Sequence, residues 1–430
     1  VRGTVVTLYT RAARNWQKAP GEIARGLREA RALHSRERRF VADALHGMVR
    51  MRRRLAFFAG LDSSEAASPQ PDALYLAWLL NAADDGESLP EESPAYAELA
   101  RLGVTRSIVA SGAERLAAIP DRARQLAIAC SYPDWLVARL LTELGDARAH
   151  AFLRASNHRA PLIVRANRLK NDREQLLAAL AEASVPASTV ALAPDALELK
   201  SHVNAYALAA FKDGRFELQD SASQLIGEVV APSPRERVLD FCAGAGGKTL
   251  HLGALLQGGG RIVACDLTSD KLEELRRRAR RAGLSNVEAH RITEAGALPA
   301  AVGNDYDRVL CDAPCTGSGV LRRNAEARWR VGPQDLVELP ALQAQILERA
   351  APLVARGGRL IYATCSILRA ENDDVVDRFL ESHAGFEPVP LEEILGRDRA
   401  RLIGDGLRLR TAPDTHDSDG FFAAVLRRRA

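Results

Sequence analysis

The chain has 430 residues, 47% hydrophobic and 27% charged, with a net charge of +4, a profile expected of two or three folded domains with cores large enough to need no disulfide staples. Its six cysteines (Cys130, Cys242, Cys265, Cys311, Cys315 and Cys365) form no Cys-x-x-Cys pair and no His-rich spacing, which argues against a bound metal and against a secreted disulfide framework. No apolar run reaches membrane-spanning length and no signal-like segment opens the chain, so a cytoplasmic protein off the membrane, with reduced thiols, is expected.

Residues 1–140 predict an all-helical domain, because Ala, Leu and Arg dominate and β-branched runs are rare. Val41, Ala44, Leu45 and Met48 recur at helical spacing and mark one buried face. Arg36, Arg38 and Arg39 precede that face; Arg50, Arg52, Arg53 and Arg54 follow or extend it. A third arginine group is Arg276, Arg277, Arg278, Arg280 and Arg281. Such groups can meet a phosphate backbone, although a solvated helix face explains any single one more simply. Stretches 63–70 and 84–93, rich in Ser, Pro, Asp and Glu, read as loops.

Residues 145–230 read as a small α/β linker domain. Strands are expected at 161–167, 197–203 and 215–219, and helices at 171–183 and 223–230. Arg165 and Asn167 are equally candidates for substrate contact or for structural polar groups. From 231 to 430 the pattern alternates strand, turn and helix, as in a doubly wound, mostly parallel Rossmann-like sheet. Strands are expected at 238–242, 261–266, 306–311, 359–366 and 421–426. A helix follows the glycine turn as far as Leu256. The next carries Ser269 as N-cap and Gly283 as stop, with Leu272, Leu275 and Ala279 inward. A long helix at 334–355 contains Pro340.

Chemistry-bearing residues gather at the carboxyl ends of these strands, where open α/β sheets bind ligands. The turn Gly244-Ala245-Gly246-Gly247-Lys248 allows close approach to a ligand at a helix N-terminus, and Asp266 ends the next strand, where a carboxylate can take ribose hydroxyls. This pair suits NAD, FAD or S-adenosylmethionine. Two strand-end thiols, Cys315 in Asp312-Ala313-Pro314-Cys315 and Cys365 in Thr364-Cys365-Ser366, decide among them. Hydride transfer has no evident use for two thiols, whereas pyrimidine methylation does. A thiolate adding to carbon 6 of cytosine makes carbon 5 nucleophilic towards a sulfonium methyl, and a second group helps the adduct collapse. Asp312 can hydrogen-bond the polar edge of a base, which must first be unstacked. Cys130, Cys242, Cys265 and Cys311 read as small buried hydrophobes.

These motifs, with Cys242-Ala243-Gly244-Ala245-Gly246-Gly247-Lys248-Thr249, Gln219-Asp220-Ser221-Ala222-Ser223 and Glu371-Asn372, resemble those of the RNA 5-methylcytosine methyltransferases of the RsmB/NOP family across about 160–430. Residues 35–54 resemble the NusB-like RNA-binding domain, and the two together are the arrangement of bacterial 16S rRNA methyltransferases. The resemblance implies S-adenosylmethionine as cofactor, with Cys242, Ala243, Gly244, Ala245, Gly246, Gly247 and Lys248 around its methionine part and Asp266 at its ribose. It places Asp312 between cofactor and base, Cys365 as nucleophile and Cys315 in product release. In DNA cytosine-5 methyltransferases the Pro-Cys thiol attacks instead, so chemistry alone leaves the two roles open.

The implied partner is RNA, as 16S rRNA or an early small-subunit particle, and the protein is expected to act as a monomer. The same chemistry on tRNA or another rRNA site is the nearest alternative. A non-catalytic RNA-binding ribosome-assembly factor is the alternative of another class. Three departures from the family pattern stand out. Gly244-Ala245 replaces Ala-Pro, Ala325 stands where Pro is usual, and Thr293-Glu294 leaves the adenine contact unassigned.

Overall fold

The computed structural model describes residues 1–430 except 31, 65–67, 82–92 and 201–202. Most of the loop read at 84–93, the middle of that at 63–70 and part of the strand read at 197–203 therefore lie outside the described residues. The chain forms two compact units. The first holds Val1–His158 together with Leu321–Pro333, and the second holds Arg159–Val320 and Gln334–Ala430. No helix among the described residues is long and apolar enough to cross a membrane.

Among its described residues the first unit contains α-helices and no strand. The longest, Ser35–Phe58, starts at a capping box in which Glu37 accepts the His34 N–H at 2.8 Å. Val41, Ala44, Leu45 and Met48 are fully buried on it, packed with residues of Arg2–Ala13 and Pro71–Asn81. The second arginine group reads differently from the sequence expectation. Arg52 and Arg53 are buried. Arg53 donates to the carbonyls of Ser63 and Tyr132, both at 2.8 Å, and pairs with Asp134. Arg52 lies over the rings of Trp16 and Trp329, Arg54 donates to the Ala129 carbonyl, and Arg50 to those of Ser156 and Arg322. Arg36, Arg38 and Arg39 are exposed.

Segment Leu321–Pro333 is built into this helical unit, although it directly follows the Asp312–Gly319 motif in the chain. Arg328 is 1% exposed. It donates to the Ser131 carbonyl (3.1 Å) and to Asn157 (2.9 Å), with its guanidinium over Tyr132. Trp329 donates its indole N–H to the Val49 carbonyl at 2.8 Å, and Ala325 joins the helical core.

In the second unit β1 (Leu162–Ala166), β2 (Ala187–Thr189), β3 (Ala196–Leu199) and β4 (Phe216–Leu218) form an antiparallel sheet of order β2-β3-β1-β4. The main sheet holds β5 (Arg237–Asp240), β6 (Arg261–Asp266), β7 (Val287–Arg291), β8 (Tyr306–Asp312), β9 (Val354–Thr364), β10 (Phe386–Pro388), β11 (Arg408–Arg410) and β12 (Phe422–Arg428). Its order is β10-β12-β9-β8-β5-β6-β7, with β11 also on β12. Pairs from β9 through β7 are parallel; those made by β12 are antiparallel. The inner parallel strands β5, β6, β8 and β9 carry short apolar runs because both of their faces are covered. Val309 and Leu360 enter one core with Leu347 of helix Asp335–Ala350. Their neighbours Leu310 and Ile361 enter the other with Leu225 and Val229 of helix Ser221–Val230.

Some boundaries moved. The strand read at 238–242 ends at Asp240, and that read at 359–366 runs from Val354 to Thr364, leaving Cys365 beyond it. Thr268, not Ser269, is the N-cap of helix Ser269–Ala282, while Gly283 stops it in the left-handed conformation. Asp220 caps helix Ser221–Val230 by accepting the Ala222 N–H, so that helix begins before 223.

Candidate active site

β5 pairs with β6 on one side and β8 on the other, both parallel, so the order in which strands are added to the sheet reverses there. Loops leaving the carboxyl ends of strands at such a point diverge and open a crevice. The β5 loop carries the glycine turn. Gly246, in the left-handed region at φ 86°, is the N-cap of helix Gly247–Leu255. The Gly244 N–H donates to Asp266 at the end of β6 (2.9 Å), whose other oxygen accepts from the Thr268 N–H. The Ala243 N–H donates to the Cys265 carbonyl, and the Gly246 N–H to that of Ala243. Cys242 is half-buried.

Two arginines hold the turn from behind. Arg278 donates to the Ala245 carbonyl (2.8 Å) and pairs with Glu217; Arg165, 1% exposed, donates to the Gly247 carbonyl (3.1 Å) and to Gln219. Asn167 donates to the carbonyls of Gly214 and Ala282. Arg165 and Asn167 are therefore structural, resolving the two readings that the sequence left open.

Asp312, the last residue of β8, pairs with Lys248 at 2.6 Å. Burial alone would lower the Lys248 pKa, but Asp312 outweighs it and holds the ammonium above its ordinary value. Cys365 and Asp240 act on Lys248 in the same direction. Beneath them Asp240 is 1% exposed and accepts from the Thr249 hydroxyl at 2.7 Å. Burial pushes its carboxyl up to about 7, with Asp312 and Asp266 adding to the effect.

The two strand-end thiols meet. Cys315 Sγ lies 3.4 Å from Cys365 Sγ, and both residues are half-buried. The neighbouring Cys365 first, then burial, pushes the Cys315 thiol well above its ordinary pKa. A negative charge on the neighbouring sulfur would thus disfavour a second one on Cys315. Cys130, Cys265 and Cys311 are buried, and burial raises all three thiols, Cys265 to about 12. The sequence reading gave no role to Asp240 or Gln343 and saw Arg278 only as one of an arginine group. Arg278 and Gln343 meet backbone carbonyls about thirty residues away, a contact that no local pattern carries.

Elsewhere, His251 is 1% exposed, with Nε2 3.8 Å from Glu228 and 4.0 Å from Asp195. The three donor atoms lie within 4.8 Å of one another. Arg168 already pairs with Asp195 at 2.8 Å, and Arg168 and Arg399 flank Glu228. Burial, with Arg165 and Arg168, holds His251 well below its ordinary pKa. Guanidinium groups thus supply the positive charge here.

A parallel sheet with a glycine turn and strand-end acids at its switch point is the frame of a Rossmann-like methyltransferase domain, and solved structures agree. A methyltransferase homolog from Pyrococcus horikoshii matches at TM-score 0.60 and 25% identity, over 72% of this chain and all of that one. The crystal structure of PH0851 matches at TM-score 0.77 and 26% identity, over 99% of this chain and 97% of that one. Residues 228–427 match the family model described as 16S rRNA methyltransferase RsmB/F, and residues 132–206 match its RsmF/B-like, ferredoxin-like domain. A probable ribosomal RNA small subunit methyltransferase B from Bacillus subtilis is 34% identical over 76% of this chain and 73% of its own length. The chain belongs to the RsmB/F family of 16S rRNA methyltransferases.

Proposed function

We propose that this protein methylates carbon 5 of a cytosine in 16S rRNA through a covalent Cys365–cytosine adduct, using S-adenosylmethionine. The observation that carries the reading is the pair of sulfurs 3.4 Å apart, beside the Lys248–Asp312 ion pair. The turn fits such a cofactor. A Cβ built at Gly244 or Gly247 would meet nothing within 4 Å, which leaves its outer face open to a ligand. Residues 242–248 would hold the methionine part and Asp266 the ribose. When bound, the cofactor supplies an electrophilic methyl group.

Cys365 adds as thiolate to carbon 6 of the unstacked base, and electron density passes to carbon 5. Lys248 stabilises the thiolate before attack, and Asp312 faces the polar edge of the base. After methyl transfer, carbon 5 loses its proton, the carbon–sulfur bond breaks and Cys365 leaves with the electron pair. Cys315, protonated and 3.4 Å away, stabilises that departing thiolate by hydrogen bonding. This supports Cys365 as nucleophile and Cys315 as the group assisting release.

The helical unit is assigned to RNA binding, in keeping with the NusB-like resemblance. Its contact surface is assigned to exposed Arg36, Arg38 and Arg39, since Arg50 and Arg52–Arg54 are engaged within the unit.

Cys365→Ala is expected to lower methyl transfer roughly 10³-fold or more. Cys315→Ala is expected to accumulate RNA covalently bound to protein, visible as a slow band on a denaturing gel. Residual turnover near wild type in the first variant, or no slow band in the second, would remove the corresponding role.

A further inference from the structure

We infer that the adjacent residues Glu371 and Asn372 form a positioning clamp that sets the separation of the Cys315 and Cys365 sulfurs. Both residues bond the neighbours of the cysteines rather than the sulfurs. Glu371 is 0% exposed, and its carboxylate accepts the Thr316 N–H at 2.8 Å and the Thr316 hydroxyl at 2.6 Å. It also accepts from the Gln343 amide at 3.2 Å, and that amide donates to the Pro314 carbonyl at 2.9 Å. Cys315 is therefore gripped on both sides, through Pro314 and Thr316.

The Cys365 loop is gripped in the same way. The Thr364 hydroxyl donates to the Asn372 side-chain oxygen at 2.6 Å, and the Asn372 amide donates to the Ser366 carbonyl at 2.9 Å. The Ser366 hydroxyl closes the circuit by donating to Glu371. One carboxylate thus bonds both thiol loops, which come from different strands and stand about fifty positions apart in sequence, a separation at which local structure fixes nothing. The Tyr362 hydroxyl fixes the hub itself by donating to the Glu371 carbonyl.

Two features distinguish this from ordinary loop packing. Four donors, the Thr316 N–H and hydroxyl, the Gln343 amide and the Ser366 hydroxyl, converge on a single buried carboxylate and fill its accepting sites, so nothing is left over for a substrate. The clamp also acts on backbone and side-chain groups flanking the sulfurs, while Cys315 and Cys365 themselves are only half-buried. Glu371 is thus a positioning residue and not a catalytic one. Its consequence for turnover rests on the two-thiol reading above, but the clamp can be tested without RNA or cofactor.

The test is intramolecular cross-linking by dibromobimane, which fluoresces once both of its arms have alkylated thiols, on the full chain with peptide mapping. The wild-type chain is expected to yield a Cys315–Cys365 cross-link, absent in Cys315→Ser and Cys365→Ser. Glu371→Gln keeps the volume but offers one acceptor oxygen in place of two, and should reduce the yield. Glu371→Ala should bring it down to the level of the single-thiol variants. Thermal melting of each variant shows whether it is folded, and Glu371→Gln carries the test if Glu371→Ala does not fold. Wild-type yield in a folded Glu371→Gln and Glu371→Ala, or no cross-link in the wild-type chain, would overturn the clamp. Either result leaves the methyltransferase reading to its own assays.

Discussion

Asp240, at the end of β5, is a buried acid that accepts from the Thr249 hydroxyl. Its carboxyl rises from an ordinary 3.8 to about 7, so the folded chain keeps a proton there that the unfolded chain has released. The stabilisation is complete below the unfolded value and is lost as pH rises through the folded one, by about 4 kcal/mol at most. Asp240→Asn keeps an acceptor for Thr249 and cannot ionise. Its stability relative to wild type should therefore grow as pH rises from about 5 to about 8, measured by denaturant unfolding. A difference that stays constant over that range would contradict a protonated Asp240. At this scale the sequence was readable where chemistry is unusual and unreadable where it is buried. Two strand-end cysteines announced themselves by type and place. Arg52, Arg53 and Arg165 did not, because an arginine on a helix or strand carries no local mark that its partners are carbonyls and rings distant in sequence.

Between elements, two glycines meet backbone to backbone next to the Cys365 loop. The Gly319 N–H donates to the Cys365 carbonyl at 2.9 Å, and the Gly420 N–H donates to the Gly319 carbonyl at 2.8 Å. A Cβ added at Gly319 would lie 2.1 Å from the Gly420 carbonyl oxygen, a backbone atom with little room to move. Gly319→Ala should therefore cost about 1–3 kcal/mol of stability, read as a Tm lower by several degrees, and should lower methyl transfer by displacing the Cys365 loop. An unchanged Tm would mean that the loops yield more easily than their hydrogen bonds suggest. The strands behind this contact were legible because β8 and β9 are apolar on both faces and end in turn chemistry. The missed strands β2, β10 and β11 have three residues each, too few for a period to show. β7, Val287–Arg291, mixes half-buried with exposed positions on the edge of the sheet, so no apolar run marks it.

Across the whole molecule, the helical unit is more than its N-terminal sequence. The chain leaves the catalytic sheet after Val320, contributes Leu321–Pro333 to the helical unit, and returns at Gln334. Arg328 and Trp329 make that segment part of the helical fold, a relation that sequence order conceals because it joins residues nearly 200 or more positions apart. The residues immediately downstream of the Cys315 motif thus share their packing with the unit assigned to RNA binding.

The most direct test of the central claim is transfer of labelled methyl from S-adenosylmethionine to protein-free small-subunit rRNA, followed by digestion and identification of the labelled nucleoside. The expected result is 5-methylcytidine at a single position, lost in Cys365→Ala. Label in a different nucleoside would contradict the two-thiol mechanism. Label only in tRNA would contradict the substrate assignment, and no label in either RNA would contradict the enzymatic reading itself.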